Sequence, residues 1–329
     1  MISILALVED ERAASCRFRI RQFVEPLAAE GIALRVRGLG RDRSRRRGLI
    51  REAARFSGVI LHRKLLRRGD LGRLRSAARR LIYDFDDAVM FRDSNASRQA
   101  SRQRQTRFRR LVRAADLVLA GNEYLKELTA ATGGRPVVFP TVVDTGAYPP
   151  RTNREREEVI GWMGSSSNFV YLSGIIPPLK ALLASRPGLS FRVVADRPPG
   201  FGGLPVDYRP WAEESEVAEL KEFSIGVMPL LDDPWTRGKC AFKLLQYGAA
   251  SLPSVASPVG ANRSVIREGV TGYFAGSPEE WRKRLEELLD DRGRRENMGR
   301  AARRLVEERY SLSAAVPLLA RFIRQVAGP

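Results

Sequence analysis

Short apolar runs separated by longer polar stretches recur along the whole chain, and this alternation limits the fold more than any other feature. Strands that alternate with helices form parallel sheets joined by right-handed crossovers. The predicted strands are Ile2–Val8, Ile32–Val36, Gly58–Leu61, Leu81–Phe85, Leu117–Ala120, Val137–Phe139, Val159–Met163, Phe191–Ala195, Ile225–Pro229 and Ser254–Ala256. A first predicted helix has Phe18, Val24, Leu27 and Ala28 on one face and ends at Gly31. The further predicted helices are Asp70–Arg80, Ala96–Ala114, Asn122–Thr132, Tyr171–Ala184, Glu214–Glu222, Cys240–Ala250, Glu279–Leu289 and a tail, Arg294–Val326, broken near Tyr310–Ser313.

A proline-rich, polar stretch interrupts this alternation. Pro140 is followed by Tyr148–Asn153 and by the charged run Arg154–Glu158, a composition typical of an interdomain linker. A chain of 329 residues has the length of about two domains. We predict an N-terminal α/β domain over residues 1–150 and a C-terminal one over 151–329, whose final helix can cross back to the first. Two such domains bind ligands where the carboxyl ends of their strands face a common cleft.

Cysteine content and hydropathy exclude several classes of protein. No apolar run approaches the roughly 18 residues of a membrane-spanning helix. Cys16 and Cys240 are too few for a disulfide framework, and with His62 as the single histidine a zinc site is not expected. We therefore expect a cytoplasmic protein without a zinc site.

The positive charge is concentrated in one third of the chain. The whole sequence has 57 basic and 38 acidic residues, net +19, and residues 1–113 carry 29 basic and 12 acidic residues, net +17. An arginine-rich composition with solvated helix faces is one explanation. The other is a functional surface for a polyanion or for an anionic membrane at its inner face. Aromatic residues are few between Arg35 and Arg113, so nucleic acid is the less favoured partner.

A basic segment, Thr236–Gln246, follows the predicted strand Ile225–Pro229 and opens a helix. Lys239 and Lys243 are four residues apart, which predicts one shared face near the helix N-terminus. Cations are unfavourable there unless an anion binds between them and the free N–H groups. The sequence thus predicts a phosphate site, with a solvated basic turn as the alternative.

Other polar groups follow the predicted strands. The turn Ser257–Asn262 would present the backbone N–H groups of Val259–Asn262 at the top of the sheet. Tyr83–Asp87 places three carboxylates at a strand end, where they could act as acid/base groups, orient sugar hydroxyls, bind a metal, cap a helix or pair with arginines. His62 also ends a strand. The chain has neither a P-loop nor a Gly-x-Gly-x-x-Gly turn after its first strand, which disfavours kinases, ATPases and dehydrogenases.

The stretch Ser224–Asn262, SIGVMPLLDDPWTRGKCAFKLLQYGAASLPSVASPVGAN, resembles the donor-site segment of glycosyltransferase family 4. Further similarities to this family and its bacterial subgroup are SCRFRI at Ser15–Ile20, YDFDDA at Tyr83–Ala88, Val142–Thr145 after Pro140, GWMGSSSN at Gly161–Asn168 and EGVTGYFA at Glu268–Ala275. The resemblance implies the GT-B fold, in which two Rossmann-like domains with parallel sheets face a central cleft. It also implies transfer of a sugar, with retention, from a nucleotide-diphosphate donor to an acceptor hydroxyl without a metal or other cofactor.

The family's Glu-x7-Glu pattern is altered in this chain. In register, Gly238 replaces the first Glu, near the transferred sugar, and Gln246 replaces the second, which binds the ribose. The loop Ser165–Ser167 lacks the usual diphosphate-binding cations, and Ser251 replaces a usual glycine. The resemblance and the strand-end positions together predict a donor site with these members: Gly164, Ser165, Arg237, Lys239, Lys243, Gln246, Val259 and Gly260.

The resemblance places the acceptor in the N-terminal domain. Strand-end positions predict catalytic roles there for His62, Asp86 and Asp87, with Arg17 and Arg19 on the acceptor side. The acceptor would be a glycan, glycolipid or metabolite, and an anionic or lipid-linked acceptor would suit the basic domain. The alternatives are a sugar-nucleotide epimerase and a degenerate or non-catalytic GT-B protein that binds polyanions or nucleic acid.

Overall fold

Two compact units make up the computed structural model, which describes residues 1–40, 42–149 and 158–328. The first unit comprises Met1–Val142, Asp233–Cys240 and the chain from Leu312 onward, and the second comprises Val143–Asp232 and Ala241–Ser311. The predicted boundary at residues 150 and 151, and most of the predicted linker, lie outside the described residues. The helix at the end of the chain belongs to the first unit.

Each unit contains a six-stranded parallel sheet. The first, ordered β2-β1-β3-β4-β5-β6, consists of β1 (Ile2–Val8), β2 (Ile32–Gly38), β3 (Gly58–His62), β4 (Leu81–Phe85), β5 (Leu117–Ala120) and β6 (Pro136–Val138). The second, ordered β12-β11-β10-β7-β8-β9, consists of β7 (Glu158–Met163), β8 (Leu189–Ala195), β9 (Asp207–Pro210), β10 (Ile225–Met228), β11 (Ser254–Ala256) and β12 (Gly272–Phe274). The predicted parallel α/β architecture is therefore confirmed.

Helices connect the strands. They are α1 (Ala14–Arg19), α2 (Val24–Ala29), α3 (Arg43–Glu52), α4 (Arg68–Ala77), α5 (Arg102–Ala114), α6 (Glu123–Ala131), α7 (Ile176–Ser185), α8 (Glu216–Lys221), α9 (Phe242–Ala249), α10 (Asn262–Val265), α11 (Pro278–Asp290), α12 (Arg292–Arg309) and α13 (Leu312–Ala327). Short 3-10 helices cover Arg21–Phe23, Ala53–Arg55, Thr145–Ala147, Ser166–Ile175 and Thr236–Gly238. Among the residues that the structure describes, no helix combines the length and apolar character needed to cross a membrane.

The first sheet is covered on both faces because alternate residues of each strand point to opposite sides. Leu5 and Leu7 of β1 pack in one core with apolar residues of α3, α4, α5 and α6. Ile4 and Ala6 of the same strand pack in the other core with residues of α1, α2 and α13. Burial on both faces explains the nearly continuous apolar sequence of β1.

Several predicted element boundaries need correction. The helix predicted over Tyr171–Ala184 begins as α-helix at Ile176, since Pro177 and Pro178 are tolerated only in a first turn. The helix predicted from Ala96 begins at Arg102 after Ser101, whose hydroxyl accepts the Arg104 N–H.

Candidate functional site

A buried network of three polar side chains lies at the carboxyl ends of β3 and β4 in the first unit. His62 and Asp84 are direct neighbours in the parallel register of these strands, and Nδ1 of His62 lies 2.7 Å from Oδ2 of Asp84. Arg19 of α1 donates from Nε to Asp84 Oδ2 at 3.3 Å, from Nη2 to Asp84 Oδ1, and from Nη1 to the Phe139 carbonyl at 2.7 Å. All three side chains are at most 2% exposed, so each depends on the others for its polar partners.

The contact with Asp84 indicates which ring nitrogen of His62 carries a proton. Burial alone would raise the pKa of Asp84, but Arg19 and His62 outweigh it and hold that pKa below its usual value. A carboxylate can only accept hydrogen bonds, so Nδ1 of His62 carries a proton. Its Nε2 is buried and has no hydrogen-bond partner among the described residues. In neutral imidazole this nitrogen can accept a proton or hydrogen bond from a ligand. Asp84, one of the three carboxylates noted in the sequence, was not selected as a site residue.

The two carboxylates that follow β4, those of Asp86 and Asp87, are paired with Arg63. Its Nη2 donates to Asp87 Oδ2 at 2.6 Å, and its Nη1 lies 3.4 Å from Asp86 Oδ1. Burial would lower the pKa of Arg63, but these two carboxylates raise it overall. Of the roles that the sequence allowed for these carboxylates, pairing with an arginine is the one that Asp86 and Asp87 have in the structure. A catalytic role for either remains a prediction.

The two arginines predicted on the acceptor side have different surroundings. Arg17 is half-buried, with its guanidinium carbon 4.1 Å from the centroid of the Phe18 ring. Arg19 is 1% exposed and is engaged by Asp84 and Phe139. Its structural partners account for its burial, and an acceptor contact for either arginine remains a prediction.

The segment Asp233–Cys240 is part of the first unit. Nδ2 of Asn122 donates to the carbonyls of Arg237 and Lys239 at 3.2 and 3.0 Å, which fixes the backbone of both predicted donor residues. Arg237 is exposed, whereas Lys239 is half-buried with Nζ 5.8 Å from the centroid of the Trp235 ring.

Close packing excludes a side chain at Gly238. A Cβ there would lie 2.6 Å from the Cβ of Ala88 and 2.7 Å from its backbone nitrogen. A glutamate, the residue of the family pattern, would therefore need a shift of the backbone. Gly238 is thus a local adaptation to the contact with Ala88.

The shared helix face predicted for Lys239 and Lys243 is wrong. Helix α9 begins at Phe242 after Ala241, which has φ +56° and ends the preceding segment. Lys239 lies before this left-handed residue, and only Lys243 is in the helix. The two lysines also belong to different compact units.

Lys243 lies at the point of the second sheet where the strand order reverses. Strands β7 and β10 are neighbours there although α7, β8, β9 and α8 lie between them in sequence, and this is where doubly wound sheets bind ligands. A Cβ at Gly164, directly after β7, would lie 2.8 Å from Cε of Lys243 and 3.0 Å from its Nζ. The ammonium also lies 5.2 Å from the centroid of the Trp162 ring. The missing side chain of Gly164 thus makes room for a cation at the carboxyl end of β7.

Asp196 holds the serine-rich loop after Gly164 by two hydrogen bonds from Ser166. The Ser166 N–H and hydroxyl donate to its two carboxylate oxygens at 2.6 and 2.9 Å. The backbone hydrogen bond from Ser166 is the main reason that the pKa of Asp196 is lowered. The Ser165 hydroxyl accepts from Asn168 at 2.8 Å and lies beside a cavity of about 610 Å³ that this loop lines.

Two backbone N–H groups of the turn after β11 form hydrogen bonds within the turn. The Val259 N–H donates to the Ser257 carbonyl at 2.8 Å, and the Asn262 N–H donates to the Val259 carbonyl at 3.1 Å. Two of the four N–H groups of Val259–Asn262 are therefore already hydrogen-bonded within the turn, and donor binding by Val259 remains a prediction. The predicted role of Gly260, which has φ +52° in this turn, remains a prediction.

Gln246 is buried against a carboxylate that the sequence analysis missed. Its Nε2 donates to Glu216 Oε1 at 3.0 Å and to the Tyr148 hydroxyl at 3.3 Å. Glu216 is 5% exposed and also accepts from the Trp211 indole N–H at 3.1 Å. A glutamate at 246 would put two buried carboxylates together, which gives a physical reason for the amide. Ribose binding by Gln246 remains a prediction, and no local signal in the sequence pointed to Glu216.

Residues 159–291 match the family model described as glycosyl transferases group 1. Over 99% of this chain and 100% of theirs, the fold is similar to HepE of Anabaena in complex with UDP-glucose, at 14% identity and a TM-score of 0.74. Sucrose-phosphate synthase of Thermosynechococcus elongatus is similar at 14% identity and a TM-score of 0.75, with 98% of both chains covered. A glycosyltransferase of Rickettsia africae is similar at 10% identity and a TM-score of 0.74, again over 98% of both chains. Comparison with curated proteins gives no match. The chain has the two-sheet α/β fold of GT-B glycosyltransferases, and residues 159–291 match group 1 in sequence.

Proposed function

We propose that the protein is a retaining glycosyltransferase that moves a sugar from a nucleoside-diphosphate donor to an acceptor hydroxyl. The observation that carries this proposal is the Lys243 ammonium beside Gly164 at the switch point of the second sheet. The sequence match over residues 159–291 and the UDP-glucose bound to the similar HepE structure support the donor class.

The proposed reaction breaks the bond between the anomeric carbon and the diphosphate oxygen and forms a bond to the acceptor oxygen. Negative charge develops on the diphosphate, and a fixed cation near a helix N-terminus stabilises it. Lys243 would fill this role without a metal, and Arg237 and Lys239 remain predicted contributors. In the first unit, Nε2 of His62 would accept the hydrogen bond or proton of the acceptor hydroxyl.

Lys243→Met is expected to weaken binding of a nucleoside-diphosphate sugar. The lost charge-assisted hydrogen bond is worth about 1.5–3 kcal/mol, or roughly 10- to 150-fold in affinity. A thermal-shift panel of nucleotide sugars would first identify the donor, and calorimetry would then compare the variant with Lys283→Met, which removes an exposed lysine from α11. The control should bind like the wild type.

Different outcomes of this panel would favour the alternatives. If no nucleotide sugar binds, a degenerate GT-B protein that binds polyanions would be the better assignment. If a donor binds and its sugar is inverted at one carbon without an acceptor, the protein would be an epimerase. Equal affinity of Lys243→Met and wild type would contradict the proposed role of this lysine.

We further propose an anionic membrane as a partner, with the protein cytoplasmic and peripheral at the inner face and its acceptor lipid-linked or anionic. Helices α3, α4 and α5 together carry 14 arginines and two acidic residues, and α3–α6 pack on the same face of the first sheet. Each basic residue near an anionic surface contributes about 1 kcal/mol.

Acidic vesicles should therefore bind the protein, neutral vesicles should not, and salt should release the bound protein. Vesicle sedimentation measures the binding to acidic vesicles, the binding to neutral vesicles and the release by salt. Turnover with a lipid-linked acceptor should rise on acidic vesicles, while added RNA should only compete. Equal binding to neutral and acidic vesicles would contradict the electrostatic proposal.

A further inference from the structure

The basic surface of the first unit contains a distinct arginine-lined site, formed by arginines in and next to α4 and α5. A cavity of about 670 Å³ opens between α4 and α5, within the size range of small-ligand pockets. Its lining residues are Arg67, Arg68, Arg102, Gln103, Thr106, Arg107 and Arg110. We call this cavity the arginine groove.

The charge of the arginine groove is not balanced within the protein. None of its five arginines has an ion-pair partner among the residues that the structure describes. By contrast, nearby arginines do have such partners, since Arg46 and Arg73 share Asp70 and Arg75 lies beside Asp116. Guanidinium groups that line one cavity without a carboxylate repel one another, and an anion between them would relieve that repulsion.

Three of these arginines lie at helix N-termini, and this position also favours a bound anion. Arg67 is the N-cap of α4 and Arg68 is its first residue, while Arg102 is the first residue of α5. The partial positive charge at a helix N-terminus disfavours cations and favours anions. Two separate helices therefore begin with arginine, where cations are disfavoured, and both beginnings line the same groove. The first turn of α4 also contains Asp70, but its partners are Arg46 and Arg73, which do not line the groove.

The remaining lining residues restrict the chemistry of the ligand. Gln103 and Thr106 add neutral hydrogen-bond donors, and no aromatic or aliphatic side chain is among the seven lining residues. Stacking of a nucleobase and burial of an acyl chain thus have no support from this lining. Arginine forks pair best with the oxygens of phosphate groups.

We propose that the arginine groove binds a compact anion with two or more linked phosphates, either free in solution or as the headgroup of a lipid. This site is separate from the proposed donor site, and it does not depend on glycosyl transfer. It requires only the groove arginines, whereas the membrane contact proposed above uses the arginines of α3, α4 and α5.

The test is calorimetric titration of inorganic tripolyphosphate into Lys243→Met, a background that weakens the proposed donor site. Arg107→Gln/Arg110→Gln removes two groove arginines, and Arg47→Gln/Arg109→Gln is the matched control with the same loss of charge. Arg47 and Arg109 are exposed on α3 and α5 and do not line the groove. Circular dichroism establishes that each variant is folded.

The groove pair should lose at least about tenfold in tripolyphosphate affinity, and the control pair less than about twofold. Orthophosphate should bind more weakly than tripolyphosphate. Equal losses in both pairs would overturn the proposal, because they would assign binding to overall charge. No binding in the Lys243→Met background, with binding in the wild type, would also overturn it and assign the anion to the donor site.

Neutral vesicles that carry a prenyl pyrophosphate distinguish the two sources of the anion. Capture of the protein that tripolyphosphate competes away and the groove pair abolishes would identify a lipid headgroup. Binding of free tripolyphosphate without capture would identify a soluble ligand. Capture that survives in the groove pair would contradict the assignment of the headgroup to this site.

Discussion

Replacing Asp84 by alanine is expected to lower the free energy of unfolding by about 3–5 kcal/mol. The guanidinium of Arg19 has no exposed surface and would lose the carboxylate that neutralises it. Nδ1 of His62 would lose its partner at the same time. Removing one member of a buried ion pair is much more costly than removing both, because the remaining charge stays buried.

The double variant Arg19→Met/Asp84→Leu is the control. It should recover a large part of the lost stability, since it leaves no buried charge. Denaturant unfolding followed by circular dichroism measures both variants against the wild type. If the double variant is less stable than Asp84→Ala by the full cost of a second independent substitution, the two residues are not coupled and the account is wrong.

Acid should reduce the difference between wild type and Asp84→Ala. The pKa of Asp84 is lowered in the folded state, so its stabilising contribution is complete above the unfolded value of about 3.9. That contribution is lost as the pH falls through the lower pKa of the folded state. The difference in unfolding free energy should therefore stay constant at neutral pH and shrink only below about pH 4.

The strands could be predicted well where both of their faces are buried. Ile2–Val8, Leu81–Phe85 and Leu117–Ala120 have the same bounds in the sequence prediction and in the structure, because burial on both faces requires largely apolar runs, with Asp84 as the buried exception in β4. Strand β9, Asp207–Pro210, was missed since it pairs only with β8 at an edge and is half-buried or exposed. Helix α3 was missed because Leu49 and Ile50 are its only buried residues.

Local sequence could not identify the residues that organise each site. Asp84 points to the face of β4 opposite Tyr83 and Phe85, where Arg19 lies 65 residues away in sequence. Because residues two apart in a strand share a face, alternation alone would put Asp86 on the same side as Asp84, and it does not show which carboxylate will be buried. That choice depends on α1, whose packing no local pattern encodes.

Lys239 and Lys243 show a second reason why the site could not be predicted from the sequence alone. The sequence predicts a helix over Cys240–Ala250 and, from the four-residue spacing of Lys239 and Lys243, a shared face near its N-terminus. The left-handed conformation of Ala241 delays the start to Phe242, and alanine gives no sign of it, since glycine usually occupies such positions. Ser251, at φ +59°, is a second example, and there the family's usual glycine is the residue expected from the backbone.

His62→Ala is expected to reduce the turnover number of glycosyl transfer by about 10²- to 10⁴-fold, the usual contribution of a general acid or base. The imidazole is the group of the Arg19–Asp84–His62 network with an unsatisfied nitrogen, Nε2, and a protein group that accepts a proton needs such a nitrogen. Asp84 would keep its ion pair with Arg19 in the variant, so the fold should persist. Donor affinity should also persist, because the proposed diphosphate contact is Lys243.

The matched control is Lys64→Gln, which alters a side chain two residues further on that pairs with Glu9. It should retain the turnover of the wild type. The measurement is steady-state transfer with the donor found in the nucleotide-sugar panel, together with direct titration of that donor. A variant His62→Ala with normal turnover would remove His62 from the mechanism. Loss of donor affinity with an unchanged turnover number would instead assign His62 to donor binding, because a group that acts only on the acceptor proton stabilises the transition state and not the bound donor.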